Sequence, residues 1–388
     1  MNQPVEVSIV MPCLNEAGTL ERCILQAREG LEKTGRTGEI VVADNGSTDG
    51  SQALARALGA ELVDVPRRGY GSALRAGTLA ARGRWIIMGD SDLSYDFSNL
   101  APFVEKLSEG YDLVMGCRLP SGGGRIDPGA MPWLNRWLGN PILSFIGRLL
   151  FDTRITDFHC GLRGYSREAF ERMELTTRGM EFATEMVVKA ALKKMRIAEV
   201  PITLHKDGRS RPPHLRRWRD GWRHLRFMLL FSPRWLFFYP GLILSAFGLV
   251  LFLPLSFGDV KVAGVRLESG ALAISGMSMI VGFQVLAFAL WAGSHPVVRG
   301  LRPPSLFLSK CLGFFSLERG IVLGGLIAVA GAALVLHAIL IWRSASFGNL
   351  NAPEILRIII PGTTAISIGV QMIFTSFFLS LLDLNTES

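Results

Sequence analysis

The sequence predicts two architectures in series: a mostly parallel α/β sheet domain over residues 1–204 and a four-helix membrane domain over residues 235–388. A basic segment at 205–234 joins them. Three observations predict this. Strand-like and helix-like runs alternate through the first half, the order that gives a parallel sheet covered by helices. Four runs almost free of charge fill the second half, each longer than the roughly 20 residues needed to cross a bilayer. Arginine and tryptophan crowd the junction.

In chain order, Val5–Met11 reads as an apolar strand and Gly18–Thr34 as a helix. Glu39–Ala43 is a strand and Thr48–Leu58 a helix; Glu61–Val65, Trp85–Gly89 and Asp112–Gly116 are further strands, separated by helices at Gly71–Ala80 and Asn99–Leu107. Between Met131 and Phe151, Trp133, Trp137, Leu138, Ile142, Phe145, Leu149 and Leu150 recur at helical spacing beside Arg136 and Arg148. That pattern suits a helix lying in a membrane interface or one packed on the sheet. The Ser121–Arg125 loop ahead of it is rich in glycine.

The strand ends carry the chemistry. An open α/β sheet places ligands beyond the carboxyl ends of its strands. Asp90 and Asp92 follow the buried Trp85–Gly89 run, and residues i and i+2 of an extended chain point the same way. Both carboxylates can therefore face one hard divalent cation, Mg2+ or Mn2+, whose shell water and phosphate oxygens complete. The first strand ends in Pro12-Cys13-Leu14-Asn15-Glu16 and the second in Asp44-Asn45-Gly46-Ser47-Thr48-Asp49. Asp44 can accept bonds from a base imide or a ribose hydroxyl, whereas Ser47 or Thr48 suits a helix cap. Arg67-Arg68-Gly69-Tyr70-Gly71 is a basic turn entering a helix, suited to a diphosphate.

The spans are 235–257, 270–293, 320–342 and 358–382; they contain no Asp, Glu, Lys or Arg, and His337 is their one histidine. A composition 49% hydrophobic with a mean hydropathy of +0.32 is too apolar for an ordinary soluble protein. Met1 to Glu6 is no secretory signal. The sequence therefore predicts an integral protein of a bacterial-type cytoplasmic membrane, with the first domain and both termini in the cytoplasm. Arg299, Arg302, Lys310 and Arg319 in the loop between spans two and three agree with the positive-inside bias. Five cysteines show no metal spacing and fit a reduced compartment. Much of the net charge of +8 lies in 205–234, where nine Lys or Arg face only Asp207 and Asp220, interleaved with Trp218 and Trp222. Beside a span, this composition predicts binding to anionic membrane lipids rather than nucleic acid.

Taken together, Pro12 to Glu16, Val-Val-Ala-Asp-Asn-Gly-Ser-Thr-Asp at 41–49, Asp90-Ser-Asp92 and Gly116-Cys-Arg118 carry a resemblance. It continues through Thr156-Asp157-Phe158-His159-Cys160-Gly161-Leu162-Arg163, Glu181 to Glu185, and Glu199-Val200-Pro201-Ile202. Over roughly 1–230 the chain resembles family 2 glycosyltransferases of the glycosyltransferase-A fold, most closely the polyprenyl-phosphate hexosyltransferases of the dolichol-phosphate mannose and glucose synthase group. The resemblance implies a UDP- or GDP-hexose donor, a polyprenyl phosphate acceptor such as undecaprenyl or dolichyl phosphate, and inversion at the sugar. It implies that Pro12, Leu14, Glu16, Val42 and Asp44 hold the nucleoside and that Asp90 and Asp92 hold the metal; with Ser91 and with Arg68 of the basic turn these are the candidate nucleotide-sugar-binding residues. A third metal ligand of such enzymes falls here on Ser94. Arg118 and Arg136 match residues that engage the acceptor phosphate, and Arg209 and Arg211 lie in the basic segment that closes over the donor. Asp92, Asp157, Arg118 and Arg136 are thus the candidate catalytic groups.

A sugar hydroxyl acceptor needs a general base, which polysaccharide-elongating relatives supply in a Thr-Glu-Asp motif; here the sequence is Thr184-Glu185-Met186. An ionised phosphate needs none, so Met186 favours a lipid phosphate. Asp157 and Glu185 are candidates for positioning sugar or acceptor. A processive polysaccharide synthase is the nearest alternative; a lipid-linked-sugar transporter with a vestigial nucleotide domain is another, disfavoured by spans almost without ionisable groups. Self-association is left open.

Overall fold

A computed structural model describes residues 4–209, 217–298 and 316–384. It forms two compact units, Met1–Phe231 and Ser232–Ser388. The first is the expected α/β domain and the second the expected block of long apolar helices.

The first unit is built on a seven-stranded sheet. The strands read from the sequence are present as β1 (Val7–Cys13), β2 (Gly38–Asp44), β3 (Glu61–Asp64), β4 (Trp85–Met88) and β5 (Leu113–Cys117). The helices between them are α1 (Ala17–Thr34), α2 (Ser51–Ala57), α3 (Tyr70–Ala80) and α4 (Ala101–Ser108). A two-stranded ladder pairs β6 (Arg125–Ile126) with β9 (Thr203–Leu204). Two further strands, β7 (Arg163–Ser166) and β8 (Ile197–Pro201), complete the large sheet in the order β3-β2-β1-β4-β7-β5-β8. Strand β7 runs antiparallel between β4 and β5. It escapes a hydrophobicity reading because Arg-Gly-Tyr-Ser has no apolar run. Its burial depends on Arg163, whose guanidinium donates to the carbonyls of Cys160, Ala183 and Phe158.

Strand β1 pairs with β2 on one side and β4 on the other, both in parallel. The chain order reverses there, which opens a crevice at the carboxyl ends of β1 and β4. Alternation along β1 feeds both faces: Ile9 and Met11 join a core with Leu20, Ile24, Val42, Ile87 and Phe103, while Val10 joins Leu74, Ile86, Met88, Tyr165 and Phe182 on the other. Met186 is fully buried in this second core, which gives an apolar reason for its identity.

The remaining helices of this unit are α5 (Asn140–Phe151), entered through a π turn at Asn135–Gly139, then α6 (Arg167–Met173), α7 (Phe182–Leu192) and α8 (Arg217–Leu230). On the 131–151 stretch, Trp133, Trp137, Ile142 and Phe145 are exposed, whereas Ser144, Gly147 and Phe151 are buried. Helix α8 packs on α5 and α7. It buries Asp220, His224 and Met228 and leaves Trp218 and Trp222 exposed.

In the second unit the helices are α9 (Tyr239–Phe257), α10 (Ser269–Val298), α11 (Leu317–Ser344) and α12 (Ala352–Leu384). Each is long and apolar enough to cross a membrane. Small residues set the packing, as expected where lipid supplies no hydrophobic drive between helices. A Cβ on Gly331 would come within 2.5 Å of the Gly362 carbonyl oxygen, and one on Gly324 within 2.7 Å of the Gly369 oxygen. Arg299, Arg302 and Lys310 of the loop after α10 lie outside the described residues.

The Tyr165 hydroxyl meets Thr78 Oγ1 at 2.7 Å, tying β7 to α3 in the core. Tyr165→Phe should cost about 1 kcal/mol, lowering the melting temperature of the detergent-solubilised protein by roughly 2–4 °C. An unchanged melting curve would show that this bond contributes nothing.

Candidate active site

The loops after β1 and β2 are stitched together by short polar side chains. Asn15 N–H donates to Ser47 Oγ at 2.8 Å, Thr48 N–H to Asn15 Oδ1 at 2.8 Å, and Glu16 N–H to Ser51 Oγ at 3.0 Å. Asp49 accepts from the N–H of Ala17 and Ser51. Asp44, buried at the end of β2, accepts through Oδ2 from the N–H of Gly46 and Ser47 and from Gln52. Burial raises its carboxyl, and these bonds more than reverse that, so it stays ionised. Among the described residues its Oδ1 has no partner, and it is a ready acceptor at this strand end.

Across the crevice, Ser91 Oγ donates to the Pro12 carbonyl at 2.8 Å and Thr19 Oγ1 to the Ser91 carbonyl at 2.7 Å. The loop after β4 is thereby sewn to the start of α1. Ser94 donates its N–H and hydroxyl to Asp92 Oδ1, at 3.0 and 2.5 Å. Ser94 thus orients Asp92. The tight return holds Leu93 at φ 65°, a left-handed conformation unusual for leucine.

Arg209 spans the crevice. Its guanidinium lies 2.8 Å from Glu16 Oε1 and 3.0 Å from Asp92 Oδ2, and the Gly208 N–H donates to the Asp92 carbonyl. Asp90 has the opposite environment. Burial first, then the charge of Asp92, push its carboxyl up to about 6, against the pull of Arg209, Tyr70 and Arg118. Two like charges this close favour a cation, and a pair of carboxylates suits Mg2+ or Mn2+. Among the described residues no third His, Cys, Asp or Glu joins them. The donor set fits a cation that takes its other ligands from water and a diphosphate.

The basic turn before α3 differs from a free helix start. The Gly71 and Ser72 N–H groups donate to the Arg178 carbonyl at 2.9 and 3.3 Å, so they are not open to a phosphate. Arg67 and Arg68 remain exposed, and Gly69 N–H is held by Asn45 Oδ1 at 2.7 Å. Pro12 and Leu14 line the loop after β1, half-buried. Val42 is a core residue whose side chain lies inside the sheet layer, so any contact it makes with a nucleoside is through backbone.

Arg118 and Asp157 are partners. Arg118 Nε and the second terminal nitrogen meet the two Asp157 oxygens at 2.7 and 2.8 Å, and its backbone N–H adds a third bond. Both are buried. Burial raises the Asp157 carboxyl and the Arg118 charge more than reverses this. Glu199 on β8 fixes the loop by accepting from the N–H of Thr156 and Asp157 at 2.8 Å. Arg136 sits on the π turn, 5.4 Å from the centre of the Trp137 ring, with a buried and unpartnered Nε. The structure records no contact that brings it to Arg118. Arg211 lies outside the described residues.

Sequence reasoning did not single out Tyr70, Tyr95, Arg163 or the His159–His224 pair. Tyr95 accepts from the Gly161 N–H at 2.8 Å, and Tyr70 lies near enough to Asp90 to draw its carboxyl down. His159 and His224 stack edge to face, 5.0 Å between centroids, and burial holds both below the usual histidine range. His159 and Arg163 carry a local signal in the Thr156–Arg163 run and Tyr70 in the Arg67–Gly71 turn, whereas Tyr95 and His224 carry none.

Residues 8–173 match the glycosyl transferase family 2 model, and 290–383 match the model of a glycosyltransferase family 2 C-terminal transmembrane region. The low-salt glycan biosynthesis hexosyltransferase Agl6 of Haloferax volcanii is 37% identical, over 97% of this chain and 89% of its own length. Glycosyltransferase AglJ of the same organism is 31% identical over 75% and 93%. Its dolichyl-phosphate hexose transferase is 30% identical over 51% and 82%. Among solved structures, glucosyl-3-phosphoglycerate synthase from Mycobacterium tuberculosis aligns with a TM-score of 0.43 at 22% identity, covering 58% of this chain and 78% of that one.

Removing one partner of a buried ion pair leaves the other charge uncompensated. Asp157→Asn should therefore destabilise the protein by about 3–5 kcal/mol, measured by denaturation in detergent at neutral pH. Because the Asp157 pKa is depressed on folding, the stability it contributes is full above the unfolded value of about 3.9 and is lost as pH falls through the folded value. A variant as stable as the wild type would remove the pair from the fold's supports.

Proposed function

The chain belongs to the family 2 glycosyltransferases, and we propose that it transfers a hexose, with inversion, from a nucleoside-diphosphate sugar to a polyprenyl phosphate at the cytoplasmic leaflet. The observation that carries the transfer reading is the Asp90–Asp92 pair at the switch point of the sheet, facing Glu16 and Arg209. Asp90 and Asp92 would hold Mg2+ or Mn2+, which neutralises charge on the leaving diphosphate as a Lewis acid. Asp44, with its free Oδ1, and the Pro12–Glu16 loop receive the nucleoside, while Arg68 and Arg209 offer planar donors to the diphosphate.

An acceptor phosphate oxygen forms the new bond to the anomeric carbon as the bond to the diphosphate breaks, and no proton has to be removed. A buried methionine, Met186, in place of a carboxylate at the third position of Thr184-Glu185-Met186 supports this acceptor over a sugar hydroxyl. The exposed tryptophans of 131–151 and α8, with their neighbouring arginines, suit a surface resting on anionic lipid. The name of one Haloferax volcanii relative, a dolichyl-phosphate hexose transferase, supports a lipid carrier.

The test is a product assay. Purified protein is incubated with UDP- and GDP-hexoses, undecaprenyl or dolichyl phosphate, and Mg2+ or Mn2+, and the lipids are analysed by mass spectrometry. A polyprenyl-phosphate sugar is expected, and a polymer would sink the reading. In the same assay Asp92→Asn should abolish transfer while the melting curve stays near wild type; normal metal-dependent turnover would remove Asp92 from the metal site.

Arg136 supplies a second, separable prediction. Charge-assisted bonds to phosphate are worth about 1.5–3 kcal/mol, so Arg136→Ala should raise the Michaelis constant for polyprenyl phosphate roughly tenfold to a hundredfold. The constant for the nucleotide sugar should barely move. A defect confined to the donor would assign Arg136 to the diphosphate instead.

A further inference from the structure

Glu185 occupies the middle of the Thr184-Glu185-Met186 sequence, yet its carboxylate is turned to another use. Only 1% of its side chain is exposed. Oε1 accepts from Thr176 Oγ1 at 3.0 Å and faces Lys189 Nζ at 2.8 Å. Oε2 accepts from the Thr177 N–H at 2.8 Å and the Thr177 hydroxyl at 2.7 Å, and the Thr176 N–H lies 3.0 Å from both oxygens. Two amides, two hydroxyls and an ammonium use up the lone pairs a carboxylate can offer. No capacity remains for abstracting a proton from an acceptor.

The bound turn has a second contact. Arg178, next in the chain, accepts through its carbonyl from the Gly71 and Ser72 N–H groups, two of the orphan donors in the first turn of α3. Helix α3 has only Gly69 as its N-cap and no side-chain cap. The Arg178 carbonyl therefore caps it from outside. The fit is close: a Cβ on Gly69 would lie 2.3 Å from the Arg178 oxygen, and one on Gly71 2.6 Å from the Thr177 oxygen and 2.7 Å from Phe182 Cβ. Between these glycines stands Tyr70, placed by α3 close enough to Asp90 to draw its carboxyl down.

We propose that Glu185 is a positioning residue for the donor site: it fixes the Thr176–Arg178 turn, the turn caps α3, and the capped helix holds the Tyr70 hydroxyl against Asp90. This rests on the glycosyl-donor reading of the Asp90–Asp92 pair. It assigns Glu185 to donor binding through three links of the chain and removes it from proton transfer.

Three variants of the full-length protein test it: Glu185→Gln, which sets a carboxamide N–H against the donors; Thr177→Val, which deletes one hydroxyl; and Tyr70→Phe, which cuts the last link without disturbing the turn. The readouts are binding of UDP and of GDP in the presence of Mn2+, by calorimetry, and steady-state constants for donor and polyprenyl phosphate. Each variant should weaken nucleotide binding and raise the donor constant, by about tenfold for Glu185→Gln and Tyr70→Phe, with the acceptor constant unchanged within about twofold. Glu185→Gln combined with Tyr70→Phe should be no worse than the poorer single variant, because both act on one line. A turnover loss with normal nucleotide binding in Glu185→Gln would overturn the proposal in favour of a base. Wild-type binding in both Glu185→Gln and Thr177→Val would overturn it even if Tyr70→Phe binds poorly. Should Glu185→Gln not fold, Thr177→Val and Tyr70→Phe still decide between these outcomes. A wild-type protein that binds neither nucleotide with Mn2+ would overturn the donor reading and this proposal together.

Discussion

Charge compensation in the crevice between β1 and β4 is the constraint on which the rest of the first unit depends. Asp90 and Asp92 stand there as a pair, and the Arg209 guanidinium ties Asp92 to Glu16. Neighbouring like charges persist in one place only if the chain around them is over-determined. The loops show how. Ser91, Thr19 and Ser94 spend their hydroxyls on backbone or on Asp92, and Leu93 is held in a left-handed turn. The strained turn keeps Asp92 directed into the crevice when relaxation would let it swing to water.

Much of this was legible in the sequence because its signals are local. Strand β4 followed by Asp90-Ser91-Asp92 fits in a window of eight residues, and the βαβα alternation announces the parallel half of the sheet. What was not legible is non-local. Strand β7 has no apolar pattern of its own and is buried through the carbonyl bonds of Arg163. Arg118 and Asp157 were both singled out, but sequence positions 39 apart do not reveal that each is the other's counter-ion. The basic turn before α3 reads in the sequence as one entering a helix and suited to a diphosphate, but two amides of that helix start are taken by the Arg178 carbonyl. The glycines are there because the Thr177 and Arg178 carbonyls approach too closely for a side chain.

The second unit follows other physics. Its spans were recognisable by length and lack of charge alone, while their pairing depends on glycines that composition does not distinguish from turn residues. Gly324 against Gly369 and Gly331 against Gly362 bring α11 and α12 into backbone contact. Ser376 and Thr364, buried in the same unit, show that polar side chains also enter these seams. The helices are therefore a packed assembly with a specified register.

Arg163 has a consequence that reaches beyond the strand it secures. It is wholly buried, and its recorded bonds go to carbonyl oxygens, so the cation beneath the crevice is solvated by the peptide backbone. Guanidinium stays protonated where an ammonium would shed its proton. The domain thus carries a permanent positive potential under its acidic floor, insensitive to the pH of the surrounding medium. Lysine offers a single point of attachment in place of a planar fork, and could not supply three divergent bonds from one rigid plane. A residue that reads as a fold element is also a fixed electrical bias, set during folding and independent of whatever later enters from above.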